Sequence, residues 1–99
     1  MTGWMYILEC YDGSYYVGST RDLERRIWQH QNRKGAKYTQ RRLPITLVFA
    51  EEFPTVQEAY FAEKQVQGWR REKRKALIDG ETELLPELSR KTKRKSSVE

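Results

Sequence analysis

Five side chains in this sequence combine chemically useful groups with positions where simple patterning would not place them: Tyr6, Tyr16, Arg26, His30 and Glu63. With Leu23 set at 0° and about 100° per residue, Ile27 falls near 40°, His30 near −20° and Arg26 near −60°. A guanidinium and the chain's sole histidine therefore share an apolar stripe, while Arg25 and Trp28 turn to the opposite side. Two readings of the pair stay open. Arg26 can snorkel from the stripe's edge beside a hydrogen-bonded core histidine, or both can serve a site facing the neighbouring elements. The pattern repeats later: with Ala59 at about 0°, Val66 falls near −20°, Val56 near 60° and Glu63 near 40°. A carboxylate within an apolar stripe is costly unless paired, so Glu63 requires a cation, either an arginine such as Arg26 or a metal ion. The tyrosines are ambiguous alone, since tyrosine is common in strands and a phenol of pKa about 10 is a poor base at neutral pH.

The elements that must carry these groups follow from local pattern. Residues 4–10 and 15–19 are rich in aromatic and aliphatic side chains, and Tyr11-Asp12-Gly13-Ser14 between them reads as a hairpin turn in which Gly13 takes a positive φ. Gly18, at a strand's end just before a helix, leaves room for a backbone or a phosphate to approach. Ser19 or Thr20 is expected to cap a first helix reaching about Asn32, with Asp22 and Glu24 in its first turn. A third strand is predicted over Ile45–Glu51, and Thr55 with Glu58 has the spacing of a capping box opening a second helix. Gly68 breaks that helix, and a short third one runs from about Arg70 to Ile78, stopped by Asp79-Gly80. The fold class is therefore α+β, a three-stranded antiparallel sheet flanked by three helices in the order β-β-α-β-α-α. One domain over residues 1–85 and a disordered basic tail over 86–99 complete the expected organisation.

Composition narrows the partners. The chain has 99 residues, 19 Lys and Arg against 14 Asp and Glu, a net charge of +5 and a pI near 9.5. The charge is blocked: residues 21–42 hold eight basic and two acidic side chains, and residues 64–78 hold six and one. Two basic blocks inside the folded part point to a polyanion more strongly than the tail does. Within the first block, Lys34, Lys37, Arg41 and Arg42 interleave with Tyr38, a pattern that can track a phosphate backbone and stack a base; a solvated loop is the plainer alternative. Lys64, Lys73 and Lys75 fit solvated helix faces. Cys10 is the sole cysteine, so no internal disulfide partner exists, and an apolar neighbourhood makes it a packed side chain. The absence of a long apolar run and of a leader-like start makes a cytoplasmic location, away from membrane, the expectation.

Taken together the residues resemble the GIY-YIG nuclease superfamily, in particular a small bacterial single-domain subgroup. Trp4-Met5-Tyr6 stands where the first tyrosine triplet would be and Tyr16-Val17-Gly18 where the second would be, followed by Ser19, Asp22, Glu24, Arg26, His30 and then Glu63. The stretch from Gly35 through Tyr38 and Thr39 to Pro44 is similar to a loop of the structure-specific branch of that superfamily. The first triplet keeps only Tyr6, and the second histidine and late asparagine of some homing enzymes have no counterpart.

The resemblance implies metal-dependent endonuclease activity on DNA with low sequence specificity, in repair or recombination. It implies a single Mg²⁺ or Mn²⁺ on Glu63, Arg26 on the non-bridging phosphate oxygens, and Tyr6 or Tyr16 acting on the attacking water with help from His30. The competing readings are a non-catalytic nucleic-acid-binding module in which Glu63 and Arg26 pair only with each other, and a protein-interaction domain using Trp28 and Trp69 as exposed anchors.

Overall fold

A computed structural model describes residues 1–80; the predicted tail and the end of the predicted domain lie outside them. The chain divides into two compact units, one over residues 1–68 and one beginning at Trp69.

In the first unit, β1 (Gly3–Cys10) and β2 (Tyr15–Thr20) form the expected hairpin, with Trp4 opposite Thr20 and Glu9 opposite Tyr15. Its turn is set by side-chain chemistry. Gly13 has φ +84°, where a Cβ would be strained, and Asp12 Oδ1 accepts from the Ser14 amide at 3.1 Å and the Ser14 hydroxyl at 2.6 Å. The third strand, β3 (Ile45–Phe53), pairs antiparallel with the other edge of β1, giving the order β2-β1-β3. The register shifts between Ile7 and Leu8, which face Phe49 and Leu47, so Val48 is a bulge residue that lets β3 bend.

Helix α1 (Leu23–Gln31) begins after Asp22, whose carboxylate accepts from the Arg25 amide at 3.1 Å. The expected cap at Ser19 or Thr20 is thus corrected. Thr20 instead accepts from the Asp22 amide at 3.1 Å, and Ser19 is engaged elsewhere. A one-turn helix, α2 (Lys37–Gln40), forms within the basic stretch expected to be loop. Helix α3 (Val56–Gln67) starts as predicted, with Thr55 accepting from the Glu58 amide at 3.1 Å. The order β-β-α-β-α-α holds, with α2 as one extra turn.

The two faces of the sheet are packed differently. On one, Tyr6, Leu8, Cys10 and Ile45 form a buried cluster with Tyr16, Leu23 and Ile27 against it, so α1 covers this side. On the other, α3 crosses β1 and β2. The approach is close: a Cβ on Gly3 would lie 2.8 Å from Val56 Cα and 3.1 Å from Ala59 Cβ. Cys10 is packed, 4% exposed, and its thiol is pushed up chiefly by burial.

The second unit holds α4 (Arg71–Ile78), with Ala76 and Leu77 buried, Lys73 4.5 Å from the Trp69 ring centre and Lys75 paired with Asp79 at 3.0 Å. It ends at Gly80, φ +82°. Trp28 is 53% exposed, as its helical phase requires, but Trp69 is only 9% exposed, which removes the pair of outward anchors.

Candidate active site

The strand register decides which side chains meet. Tyr6 sits opposite Gly18 and Leu8 opposite Tyr16, so both tyrosines lie on the sheet face covered by α1. A Cβ on Gly18 would fall 2.5 Å from the Tyr6 hydroxyl and 2.6 Å from Cζ. The space expected for a phosphate or a backbone is therefore filled by the Tyr6 ring. No single-strand pattern reveals that, because it depends on the facing residue.

Helix α1 delivers His30 and Arg26 to the same place. His30 is fully buried; its Nε2 lies 2.9 Å from the Tyr6 hydroxyl and its Nδ1 2.8 Å from Thr39 Oγ1. Burial, assisted by the Arg26 charge, lowers the His30 pKa from 6.5 to about 4, so the ring is neutral at pH 7. Burial raises Tyr6 to about 12; the nearby Arg26 guanidinium opposes that shift, and Tyr16 and Glu63 add to it. Tyr6 is thus a neutral phenol at pH 7, and Arg26 and Glu63 both lie close enough to influence its ionisation. Tyr16 is half-buried, with ring centres 5.2 Å from His30, 6.4 Å from Tyr6 and 6.1 Å from Tyr38.

Glu63 comes from the other side of the sheet. Successive residues of β2 point to opposite faces, so Ser19, next to Gly18, turns toward α3, and its hydroxyl donates to Glu63 Oε1 at 2.5 Å. Gln67 donates to Glu63 Oε2 at 2.7 Å and to the Val17 carbonyl at 3.1 Å on the open edge of β2. Both carboxylate oxygens are held by neutral donors. The ammonium of Lys64 is 3.8 Å away on a half-exposed side chain, a distance and exposure that contribute little. Arg26 does not neutralise Glu63: its Nη1 donates to Gln29 Oε1 at 2.9 Å, and among the described residues it forms no ion pair with a carboxylate.

An open cleft of about 370 Å³ runs beside these groups, lined by Ser19, Thr20, Asp22, Arg25, Arg26 and Gln29. Arg26 forms part of its wall, Ser19 connects it to Glu63, and Tyr6 with His30 is buried behind it. Among the described residues no group of three or more His, Cys, Asp or Glu side chains forms a protein-only cage for a metal. One oriented carboxylate beside an open, polar cleft suits instead a hard cation that keeps most of its waters and shares a phosphate ligand.

The basic stretch divides by role. Lys34, Lys37 and Arg41 are exposed, and Tyr38 is 37% exposed. Arg42, which the sequence groups with them, is internally engaged: it pairs with Asp12 at 3.2 Å, donates to the Tyr38 carbonyl at 3.0 Å and stacks 3.8 Å from the Tyr38 ring centre. Ser19, Gln67 and Thr39 hold the chemical groups, yet pattern alone does not single out their contacts. Ser19 reaches Glu63 across 44 residues of chain, Gln67 holds Glu63 from four residues on along α3 while also bonding Val17 50 residues away, and the Thr39 hydroxyl is identified only by what it touches.

This geometry is consistent with a comparison to known proteins. Residues 2–76 match the GIY-YIG catalytic domain. The chain belongs to the GIY-YIG family. Its relatives include the UPF0213 protein of Streptococcus sanguinis, 45% identical over 80 residues that cover 81% of this chain and 92% of that protein. The UPF0213 protein spr1390 of Streptococcus pneumoniae is 53% identical over 60 residues, 61% of each chain, so the match spans less than two thirds of that relative's length. Two solution structures share the GIY-YIG chain's fold. The UPF0213 protein BH0048 of Bacillus halodurans is 46% identical with a TM-score of 0.53, covering 80% of this chain and 84% of that one. Protein EF2693 of E. faecalis is 34% identical with a TM-score of 0.56, covering 81% and 85%. Among the described residues of this GIY-YIG chain, no helix is long and apolar enough to cross a membrane.

Proposed function

We propose that this GIY-YIG chain is a metal-dependent endonuclease that hydrolyses phosphodiester bonds in DNA with little sequence preference, in the setting of repair or recombination. One observation carries the reading. Arg26 lines the cleft and Glu63 is bonded to Ser19, which also lines it, yet neither charge neutralises the other, so a cation-binding carboxylate and an anion-binding guanidinium are both available. A purely structural ion pair would have joined them.

Glu63 would hold one Mg²⁺ or Mn²⁺, with Ser19 and Gln67 fixing the carboxylate's orientation. Such an ion supplies charge stabilisation at the phosphoryl centre and acidifies a water at neutral pH. Arg26 would grip the non-bridging oxygens through its planar fork as their charge builds. Tyr6 is a poor candidate for the base, because it is buried, has a pKa of about 12 and is hydrogen-bonded to His30. That leaves Tyr16, half-buried and with no side-chain hydrogen bond among the described residues, as the phenol that orients the attacking water. His30, with a pKa of about 4, is a weak proton acceptor and serves to hold Tyr6. Lys34, Lys37, Tyr38 and Arg41 would track the substrate backbone.

The test is incubation with single-stranded, nicked, branched and duplex DNA in Mg²⁺, Mn²⁺ or chelator, beside Arg26→Ala. Metal-dependent cleavage by the wild type and its loss in the variant are expected. Tight binding without cleavage of any substrate would favour the non-catalytic module.

A further inference from the structure

The short helix α2 does something that neither its basic character nor the proposed reaction requires. Its Thr39 is fully buried and touches His30 Nδ1 at 2.8 Å, while the same hydroxyl donates to the Ala36 carbonyl at 2.9 Å. A threonine hydroxyl carries one proton. With that proton on the Ala36 carbonyl, Thr39 Oγ1 can only accept from the imidazole, so Nδ1 carries the hydrogen. A neutral imidazole has one N–H, which leaves Nε2 as an acceptor for the Tyr6 hydroxyl 2.9 Å away. The directions of four consecutive groups are thereby fixed: Tyr6 O–H to His30 Nε2, His30 Nδ1–H to Thr39 Oγ1, Thr39 O–H to the Ala36 carbonyl.

The rest of the segment cradles the same ring. A Cβ on Gly35 would meet His30 Nδ1 at 2.4 Å and Cε1 at 2.9 Å, so the backbone lies flat against the imidazole only because no side chain is there. The Gly35 carbonyl is tied to Gln40 Nε2 at 2.9 Å, which closes the turn. No buried side-chain nitrogen or oxygen is left unpartnered among the described residues; the opposite tautomer would draw the Thr39 proton off the Ala36 carbonyl and leave the Tyr6 hydroxyl proton without its acceptor.

We infer that Thr39 is a positioning residue that fixes His30 as the Nδ1–H tautomer, and through it sets the direction of the Tyr6 hydroxyl. The same turn presents Lys37 and Tyr38 outward, so the segment that meets substrate also determines the hydrogen-bond polarity behind the site. The consequence for cleavage rests on the nuclease reading above; the tautomer does not.

His30 is the sole histidine, so nitrogen-15 NMR of uniformly labelled protein near pH 7 reports one imidazole without ambiguity. The wild type is expected to show a protonated, pyrrole-like Nδ1 and an unprotonated, pyridine-like Nε2. Thr39→Ser, which keeps the hydroxyl, should retain that signature and most of the cleavage rate. Thr39→Val should shift the ring toward the Nε2–H form and lower cleavage by about 10- to 100-fold, by analogy with the loss seen when outer-shell partners of metal-bound imidazoles are removed. A wild-type Nε2–H ring overturns the inference, even if Thr39→Val does not fold. So does a folded Thr39→Val protein whose ring stays Nδ1–H. If the wild type cleaves no DNA, the nuclease reading fails while the NMR signature still decides this one.

Discussion

At the residue scale, the site is defined as much by spaces as by groups. Gly18 is extended backbone, so its importance is steric: the Tyr6 ring lies where its Cβ would be. Gly18→Ala is expected to destabilise the fold by about 1–3 kcal/mol, the usual cost of overpacking a core, measured by denaturant titration. It should also break the Tyr6–His30 hydrogen bond, because Tyr6 is 1% exposed and has nowhere to withdraw. The same burial makes stability depend on pH through His30. The folded ring has a pKa of about 4 against 6.5 for an ordinary histidine, so the unfolded chain binds a proton first as pH falls. Its contribution is fully present above about pH 6.5, declines between 6.5 and 4, and levels off below, amounting to at most ~3 kcal/mol. Comparing unfolding free energies of the wild type and His30→Gln from pH 4 to 7.5 checks this; the wild-type curve should be the steeper. Tyr6, raised to about 12, acts at the other end, and its contribution declines as pH climbs from 10 toward 12.

At the scale of elements, the basic stretch is two structures in one sequence. Arg42 ties α2 and Tyr38 to the hairpin turn through Asp12, whose carboxyl is held below its ordinary range first by Ser14 and then by Arg42. Lys34 and Lys37 are exposed. Replacing either lysine by alanine should weaken DNA binding across sequences and reduce the slope of log affinity against log salt by roughly 1, measured by fluorescence anisotropy. Arg42→Ala should chiefly lower thermal stability and perturb Tyr38. The sequence could not separate these cases, because composition counts a charge without saying what it touches. The helix cap shows the same limit. Ser19, Thr20 and Asp22 are all good caps; Asp22, directly before Leu23, takes the role, while Thr20 accepts from the Asp22 amide and Ser19 is bonded to Glu63 far along the chain.

For the whole molecule, the legible part of the fold was what local periodicity controls. The hairpin, the capping box at Thr55, the break at Gly68 and the phase that turns His30 inward and Trp28 outward all follow from neighbours a few residues apart. Helical phase also singled out Arg26 and Glu63, since a charge on an apolar stripe conflicts with local pattern. It could not show whether they pair. That depends on a sheet only one strand thick at the edge of β2, with α1 on one face and α3 on the other. The arrangement brings Arg26 to the cleft and Glu63 to Ser19 beside it, while neutral amides and a hydroxyl hold each.

The most direct measurement is therefore the cleavage rate of Glu63→Gln with Mg²⁺ or Mn²⁺ on a DNA that the wild type cuts. Glutamine preserves an acceptor for Ser19 and nearly the same shape but turns an amide N–H toward the Gln67 donor, so unfolding free energy should fall by roughly 1–3 kcal/mol while the fold is kept. The rate should fall by at least about 10²–10³-fold, as expected for removing a principal charge-stabilising group. A variant that folds and cuts at the wild-type rate with the same metal dependence would contradict the assignment of Glu63 and of the cleft beside it.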